Sequence, residues 1–447
     1  MDSAYEVVVI GAGAAGLMAA TRAAERGRRT LLLEKNRKPG VKILMSGGTR
    51  CNLTHATDER GIVEAFGENG SFLHSALAAL SPDALVAMFE AEGVRTKIEE
   101  TGKVFPVSDR ALDVLLALQR MLARSGAQLQ LESAVLGVER DGEGFVVKTT
   151  QGAQRAAKVI VTVGGQSYPG SGTTGDGYAW AKAVGHKIVP PRPALTPLTT
   201  SERWVMELRG VTVPDVVIEL MSSSSDGDDS ASLVSSGRQA GPLGGPRGDR
   251  VPRGDRAHAF HARSERVRRG SFLFTHFGLS GPGPMDISRV VAAKPQAGGW
   301  QAVCDFAPSV KAERILAELQ DAAQQDGRRG VLNIMAELVP RRLAEAIMAR
   351  AGVPLDRRAA ELSRAERTAI VDGLKRTVIP ITGTLGFKKA EVTAGGVSLD
   401  EVDSRTMESK LVPNLYFAGE VLDLDGPIGG YNFQSAFSTG YLAGEKV

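Results

Sequence analysis

The sequence predicts an α/β fold that carries a β-rich insert domain and a small helical insert domain. First, the apolar run 7–10 leads through a G-x-G-x-x-G pattern into an alanine-rich segment, which is typical of strand, turn and helix. Second, residues 271–275 and 300–306 have β-type patterns. Third, apolar residues in 309–377 recur three and four positions apart, as in amphipathic helices.

The bulk composition is that of an ordinary soluble protein. Of 447 residues, 43% are hydrophobic and 23% charged, and no apolar run reaches the ~20 residues of a membrane span. Acidic Asp2 and Glu6 precede the first apolar run, which is the wrong polarity for a secretory signal. Cys51 and Cys304 form neither a Cys-x-x-Cys pair nor a zinc spacing. We therefore expect a cytoplasmic protein with no membrane partner and no metal.

The net charge of +3 comes from one segment. Residues 222–270 contain nine Arg and six acidic residues, so the rest has 45 basic (54 − 9) and 45 acidic (51 − 6) residues. Rich in Ser, Gly, Asp and Arg, this segment cannot bury enough apolar area to offset its chain entropy, so we predict a disordered insertion. The neutral balance of charge in the rest of the chain argues against a nucleic-acid partner.

The glycine pattern at the N-terminus indicates dinucleotide binding. Gly11 allows the turn at the strand end, Gly13 allows close approach of a pyrophosphate, and Gly16 allows helix and strand to pack closely. The N-terminus of the following helix favours an anion. Glu34 ends the next apolar run, 18 residues after Gly16, close to the spacing of about 20 expected for a ribose ligand.

The end of the chain indicates that the dinucleotide is FAD. A second acidic strand end, Gly419-Glu420, is followed by a glycine-rich turn and a helix that begins near Tyr431. An acid suits the ribityl hydroxyls, and a helix N-terminus stabilises the anionic reduced flavin by roughly 0.3–2 kcal/mol. We assign Glu420 to the ribityl chain and the backbone of 431–433 to the pyrimidine edge.

Several motifs together resemble the BaiN/YhiN-like family of FAD-binding flavoproteins, also called the aminoacetone oxidase family. They spread over nearly the whole chain except 222–270. The matching stretches are 9–16, 42–52, 163–169, 273–282, 392–397 and 417–434. The resemblance implies a Rossmann-like, glutathione-reductase-type FAD domain built from both ends of the chain. We expect its first part at 1–190, a β-rich insert at 191–308, a helical insert at 309–377 and its C-terminal part at 378–447.

The resemblance also implies which residues hold the cofactor. The first glycine loop would bind the pyrophosphate, Glu34 the ribose, Val135 the adenine through its backbone, and Gly164 would close the site. Lys42 and the loop 46–52 would run along pyrophosphate and flavin. The full predicted set is Gly11, Gly13, Ala14, Ala15, Gly16, Glu34, Lys35, Lys42, Ser46, Gly47, Gly48, Arg50, Cys51, Asn52, Val135, Gly164, Gly419, Glu420, Gly430, Tyr431, Asn432 and Phe433.

Two positions depart from the family pattern. Thr49 stands where the family has a third glycine, and Thr162-Val163 stands where it has an alanine-threonine pair. Both changes are conservative in size, so they affect the expected geometry of the loops rather than the prediction of FAD binding.

The sequence offers three candidate catalytic residues, Arg50, His276 and Tyr431. Arg50 is expected to pair with a phosphate or an anionic substrate, with a loop salt bridge as the alternative. His276 is a candidate acid or base before a strand-to-helix turn, although a structural histidine is the favoured interpretation. Tyr431 is expected either to shape the substrate face or only to pack. Cys51 is interpreted as structural because no second cysteine lies nearby in sequence.

A second G-x-G-x-x-G pattern occurs at 170–175. It starts seven residues after Val163, with Pro169 between, and no acid stands near position 195. We therefore interpret it as a turn rather than a nicotinamide site. NAD(P)H, if it reduces the flavin, is expected to visit the flavin face as a transient reductant.

The predicted function is that of a FAD-dependent oxidoreductase. Hydride would pass between flavin N5 and a small organic substrate, NAD(P)H, or both in turn. Two alternatives remain open: an RNA-modifying flavoenzyme, and a non-catalytic flavin-binding redox sensor or scaffold.

Overall fold

The computed structural model describes residues 5–222, 266–293, 299–325 and 327–447. The chain divides into two compact units, one formed by Met1–Thr196 with Gly386–Val447 and the other by Pro197–Leu385. The first unit thus combines both ends of the chain. Its strands are β1 (Tyr5–Ile10), β2 (Thr30–Leu33), β3 (Thr54–His55), β4 (Thr96–Ile98), β5 (Lys103–Pro106), β6 (Gln128–Gln130), β7 (Val135–Asp141), β8 (Gly144–Thr149), β9 (Gly152–Val161), β10 (Ile188–Ala194), β18 (Val392–Val397) and β19 (Leu415–Phe417).

A seven-stranded sheet organises the first unit. Strand order is β6-β2-β1-β9-β8-β7, and β19 also pairs with β9. β6, β2, β1, β9 and β19 are mutually parallel, whereas β8 and β7 pair antiparallel. Val7, Val8 and Val9 in β1 are fully buried, because a central parallel strand is covered on both faces. The predicted α/β class is confirmed.

The helices of the first unit cover this sheet. They are α1 (Ala14–Glu25), α2 (Val41–Met45), α3 (Glu59–Ala65), α4 (His74–Ala79), α5 (Pro82–Ala91), α6 (Ala111–Ser125), α7 (Asp176–Ala183) and α14 (Tyr431–Lys446). Helices α1 and α14 pack closely through small residues. A Cβ on Gly440 would lie 2.3 Å from the Ala15 oxygen, and one on Gly444 would lie 2.4 Å from the Ala19 oxygen. The C-terminal helix is therefore held against the helix that follows the first glycine loop.

The second unit contains a seven-stranded sheet of order β16-β15-β12-β13-β14-β11-β17. Its strand pairs are antiparallel. The strands are β11 (Leu198–Thr199), β12 (Thr212–Ser222), β13 (Val267–Thr275), β14 (Gly278–Ser280), β15 (Trp300–Asp305), β16 (Thr377–Ile381) and β17 (Gly383–Thr384). The helices are α8 (Arg203–Glu207), α9 (Pro282–Ala293), α10 (Ala312–Gln325), α11 (Val331–Met335), α12 (Arg341–Arg350) and α13 (Arg364–Lys375).

Sheet and helices of the second unit share one hydrophobic core. Phe272 and Phe306 from the sheet side lie in the same buried cluster as Ile315, Leu343 and Ile370 from the helices. The segment 309–377, expected from sequence as a separate insert, is thus placed in one compact unit with the β-rich segment. The physical reason is that the apolar stripes of these helices are buried against the sheet.

The predicted disordered insertion 222–270 is corrected at its ends. Ser222 belongs to β12, and residues 267–270 belong to β13, which pairs with β12. The Arg269 guanidinium binds both carboxylate oxygens of Asp215, at 2.7 and 2.6 Å. Strand pairing and this ion pair order residues 222 and 267–270 even though their composition is polar. Residues 223–265 lie outside the described residues.

Within the described ranges, no single helix is long and apolar enough to cross a membrane. One bent pair of helical segments, Gly67–Ala79 with Pro82–Ala91, has the length and composition of a span when the two are taken together.

Candidate cofactor site

The first glycine loop has the geometry of a dinucleotide cradle. Gly11 has φ +100°, and a Cβ there would lie 2.9 Å from the Thr162 oxygen. A Cβ on Gly16 would lie 1.8 Å from the Gly11 oxygen, whereas a Cβ on Gly13 would meet nothing within 4 Å. The outer glycines therefore serve close packing, and the middle one borders open space at the N-terminus of α1. Backbone N–H groups in that first turn have no intrahelical partners and favour a phosphate.

Thr162 explains one departure from the family pattern. Its Oγ1 donates to the Ile10 oxygen at 2.8 Å and contacts the Gly11 oxygen at 2.9 Å. The threonine hydroxyl thus ties the end of β9 to the turn after β1. Nothing in the sequence pattern alone assigned it this role.

Glu34 lies beside the glycine loop with 8% exposure. Its Oε2 accepts from the Ala12 amide at 2.8 Å, and its Oε1 accepts from the Asn36 amide at 2.9 Å. Each carboxylate oxygen retains a second lone pair for a ribose hydroxyl. The Ser133 amide donates to the Glu34 carbonyl at 2.9 Å, which brings the strand start at Val135 to the same edge.

Lys35 turns away from the first glycine loop. Its Nζ lies 2.6 Å from Asp176 Oδ2 and 2.7 Å from Thr174 Oγ1. This predicted cofactor residue therefore contacts the region of the second glycine pattern. Its predicted role toward FAD stays a prediction.

A cluster around Glu420 joins residues far apart in sequence. Lys42 Nζ donates to Glu420 Oε2 at 2.5 Å and to Ser167 Oγ at 3.0 Å. Glu420 Oε1 accepts from Ser167 Oγ at 2.7 Å and from the Thr393 amide at 3.0 Å. Glu420 thus neutralises Lys42 and holds the backbone around Ser167 and Thr393 in place. These contacts are separate from any hydrogen bond that Glu420 accepts from a ligand. Ser167 and Thr393 were missed as site residues, although both lie in the quoted motifs.

The loop 46–52 follows α2 with an unusual backbone. Gly47, Gly48, Thr49 and Cys51 have φ of 55°, 67°, 71° and 60°. Glycine adopts this left-handed region freely, but a β-branched threonine does not. Thr49, the other departure from the family pattern, is therefore held at a cost on the order of 1–3 kcal/mol.

Cys51 and Asn52 are both buried at the end of this loop. Burial raises the pKa of the Cys51 thiol to about 12, so at neutral pH it is a protonated, structural side chain. In the amide orientation that satisfies its neighbours, Asn52 donates to the Thr54 and Val104 oxygens and accepts from the Gly430 amide at 3.0 Å. Asn52 therefore links the loop to the start of α14.

Arg50 is already paired with protein carboxylates. Its Nη1 lies 2.6 Å from Glu99 Oε1 and 3.4 Å from Asp109 Oδ1, and the hydrogen bond to Glu99 raises the pKa of Arg50. The guanidinium carbon lies 4.0 Å from the centroid of the Phe105 ring. In this arrangement the salt-bridge alternative is realised, and an anionic ligand would have to compete with two acids.

The start of α14 lies very close to the backbone of β3. Gly430, its N-cap, has φ 93°, and a Cβ there would lie 2.4 Å from the Thr54 oxygen. The Asn432 side chain is engaged with Gly426, accepting from its amide and donating to its oxygen, both at 2.8 Å. Phe433 stacks on Phe437 at 5.9 Å. The Asn432 side-chain amide is therefore occupied, so the prediction that residues 431–433 contact a flavin edge concerns their backbone N–H groups.

Glycines also follow the ends of β9 and β19, which are parallel neighbours in the sheet. Gly419 has φ 75°, and a Cβ there would lie 2.8 Å from Ala15 Cβ. Gly164 has φ 72°, and its Cβ would lie 2.6 Å from Thr173 Cγ2. Both positions require glycine for backbone conformation and for space.

The structure does not place all candidates in one unit. His276 belongs to the second unit, in the turn between β13 and β14, so the predicted strand-to-helix turn is a strand-to-strand turn with α9 following. Its ring contacts Phe277 in a T-shaped arrangement at 4.9 Å. Tyr431 lies in the first unit at the start of α14, stacked on His55, a residue that sequence reasoning missed.

These residues fit FAD. The open space at Gly13 suits a pyrophosphate on α1, and the N-terminus of α14 suits the flavin ring. Among the described residues, no group of three or more His, Cys, Asp or Glu side chains could hold a metal ion.

Comparison with known proteins agrees with the resemblance seen in the sequence. A family model described as "HI0933-like protein Rossmann domain" matches residues 5–446. The chain is 31% identical over 446 residues to a ribosomal RNA dihydrouridine synthase of Escherichia coli, covering 99% of this chain and 98% of that protein. A Haemophilus influenzae protein of the same name is 30% identical over 457 residues, covering 100% and 99%.

A third relative has a different name. The 3-dehydro-bile acid delta(4,6)-reductase of Clostridium scindens is 28% identical over 442 residues, covering 98% of both chains. The predictions of family, α/β fold, FAD and oxidoreductase class are thereby confirmed. The chain belongs to the HI0933-like (BaiN/YhiN) family of FAD-binding Rossmann proteins and is a FAD-dependent oxidoreductase.

Proposed function

We propose that this protein reduces a carbon–carbon double bond conjugated to a carbonyl, with NAD(P)H as the source of electrons. One observation carries this proposal: relatives with two different substrate names match 98–100% of the chain. Dihydrouridine is uridine with its ring double bond saturated, and a delta(4,6)-reductase saturates ring double bonds. The shared element is the chemistry rather than the substrate.

Such a reduction needs a hydride equivalent on one carbon and a proton on its neighbour. Bound FAD supplies the hydride transfer. The chain supplies binding, orientation and electrostatics: the first turn of α1 for the pyrophosphate, and the first turn of α14 for the negative charge of a reduced ring. Glu420 neutralises Lys42 at 2.5 Å and holds its ammonium group beside Ser167.

Two substrate classes are compatible with this chemistry. A small enone agrees with the neutral charge balance outside 222–270 and with the bile acid relative. A uracil base in ribosomal RNA is the second candidate, favoured by the names of the relatives at 31% and 30% identity. We take the small-molecule reductase as the first proposal and the RNA substrate as its direct competitor.

Anaerobic stopped-flow spectroscopy tests the electron source. The purified yellow protein is mixed with NADH or NADPH, and flavin absorbance is followed. We expect bleaching at a rate compatible with turnover. Absence of bleaching by either nucleotide would favour a redox sensor or scaffold instead.

The substrate is tested separately on the reduced protein. Reoxidation is followed with α,β-unsaturated ketones and, in parallel, with ribosomal RNA from a strain in which the gene is deleted, followed by mass spectrometry for dihydrouridine. A Gly13→Leu variant, expected to lose FAD, is the matched control. Reoxidation by RNA alone would replace the first proposal with the second.

A further inference from the structure

Two aromatic rings stack at the start of α14, and the proposed function assigns a role to neither ring. The His55 and Tyr431 rings lie 4.7 Å apart, centroid to centroid, with an interplanar angle of 19°. Both are half-buried. The pair joins β3 of the N-terminal part to the helix assigned to the flavin ring.

The His55 ring is fixed by a hydrogen bond as well as by stacking. Its Nδ1 lies 3.1 Å from the Gly429 oxygen. Because a carbonyl only accepts, Nδ1 carries the proton and donates.

Two glycines leave the space that this ring occupies. A Cβ on Gly102 would lie 2.5 Å from His55 Nε2, and a Cβ on Gly429 would lie 2.9 Å from the Tyr431 ring and 3.2 Å from His55 Nδ1. The two glycines therefore pack closely against the stacked rings, and a larger residue at either glycine would displace one of the rings.

The backbone of β3 is held against the same turn. A Cβ on Gly430 would meet the Thr54 oxygen at 2.4 Å, and Asn52 accepts from the Gly430 amide. His55 also pairs with Lys103 in the β3–β5 ladder. The imidazole thus projects from a braced strand onto the glycine turn that begins α14.

We propose that His55 is a positioning residue for the flavin site. It holds the Gly429 carbonyl and the Tyr431 ring, so that the first turn of α14 keeps its N–H groups aimed at the flavin. This inference rests on the assignment of α14 to the flavin in the proposed function. Loosening the turn weakens stabilisation of the anionic reduced ring and lowers its reduction potential.

Two variants separate the interactions of the imidazole. His55→Phe keeps an aromatic ring over Tyr431 but removes the donor to Gly429. His55→Asn keeps a donor near the Nδ1 position but removes the ring. His74→Asn, at an exposed position, is the matched control.

The readouts are the midpoint potential of the bound flavin by dye titration, the FAD dissociation constant, and kcat and KM with NAD(P)H. We expect His55→Phe to lower the potential and to reduce kcat about tenfold while KM and FAD affinity change less than threefold. His55→Asn should recover at least half of the lost kcat. An unchanged potential and kcat in both variants, or equal losses in His74→Asn, would overturn the proposal.

A double-variant cycle covers the case in which His55→Phe does not fold. If His55 acts through Tyr431, the effects of His55→Asn and Tyr431→Leu on the potential are less than additive; additive effects contradict the proposal. The potential requires bound FAD but no physiological substrate. Wild-type protein that NAD(P)H cannot reduce would therefore refute the proposed function while the test of His55 continues.

Discussion

The chain contains the same glycine pattern twice, and the two copies do different things. In the loop 11–16 a Cβ on the middle glycine, Gly13, would meet nothing within 4 Å. In the loop 170–175 a Cβ on the middle glycine, Gly172, would lie 2.6 Å from Asn36 Nδ2. The space at the Cβ position of Gly13 is open, whereas the Asn36 side chain occupies the corresponding space at Gly172.

The preceding chain explains the difference. Gly11 follows β1 directly, so its loop lies at the carboxyl end of a parallel strand, where α/β sheets bind ligands. The second loop starts after Pro169, inside a short 3₁₀ turn, Pro169–Ser171, rather than directly after a strand. The space beside the last glycine of this loop is also occupied, since a Cβ on Gly175 would lie 2.7 Å from Gln166 Nε2.

The second loop braces the residues that follow Glu34. Asn36 Nδ2 donates to the Ser171 oxygen at 3.1 Å, and Lys35 Nζ reaches Thr174 and Asp176. The same spacing therefore leaves open space beside the backbone in the first loop and supports the residues after Glu34 in the second. Glycine spacing marks where backbone can come close, and tertiary packing decides what comes close.

The largest expected effect is on folding, at Gly16. Gly16→Ala places a methyl group 1.8 Å from the Gly11 oxygen, and we expect it to lower the free energy of unfolding by about 3 kcal/mol. Gly170→Ala, at a position where a Cβ meets nothing within 4 Å, should change it by less than about 0.5 kcal/mol. Urea denaturation of the apoprotein measures both, and equal stabilities would remove the packing argument.

The next effect is on cofactor affinity, at Gly13. Gly13→Leu has room in the apoprotein but occupies the space assigned to the pyrophosphate. We expect the FAD dissociation constant to rise about 100-fold, equivalent to about 2.7 kcal/mol, with the apoprotein Tm unchanged. Gly170→Leu is the control and should bind FAD normally. Normal titration of Gly13→Leu by flavin fluorescence would mean that the cofactor lies elsewhere.

Glu34→Gln tests the hydrogen bonds by which the Glu34 carboxylate holds the first loop. The carboxylate accepts two backbone N–H groups, from Ala12 and Asn36, whereas an amide offers one acceptor and turns a donor toward the other N–H. One buried N–H is left unpaired, and we expect a loss of about 2 kcal/mol in unfolding free energy. Glu132→Gln, in an exposed pair with Arg37, should lose less than about 1 kcal/mol. Similar losses at both sites would contradict a special role for Glu34.

The smallest effect is expected at the second loop. Gly172→Ala puts a side chain at φ +97° next to Asn36, and should cost about 1 kcal/mol of stability. FAD affinity should stay within threefold of wild type, because this loop is a brace. If the affinity falls as far as in Gly13→Leu, the second loop is itself a ligand loop and the contrast between the two loops is lost.

Local pattern predicted much of the first unit. The strand–turn–helix at 5–25, the acid at Glu34 and the helix after Gly430 are each encoded by neighbouring residues, since backbone preferences and apolar periodicity act over a few positions. The environment of Cys51 and the pairing of Arg50 with Glu99 were not visible in this way. They depend on which distant segments the loop 46–52 packs against.

The sequence by itself determined the α/β class, the FAD-type glycine loop and the acid at each of two strand ends. Only the tertiary structure decided that Lys42 pairs with Glu420, that His55 stacks on Tyr431, and that the helices of 312–375 share a core with the second sheet. These contacts join residues far apart along the chain, so no local periodicity records them. They arise because buried polar groups need partners and apolar faces need cover, and the folded chain supplies both.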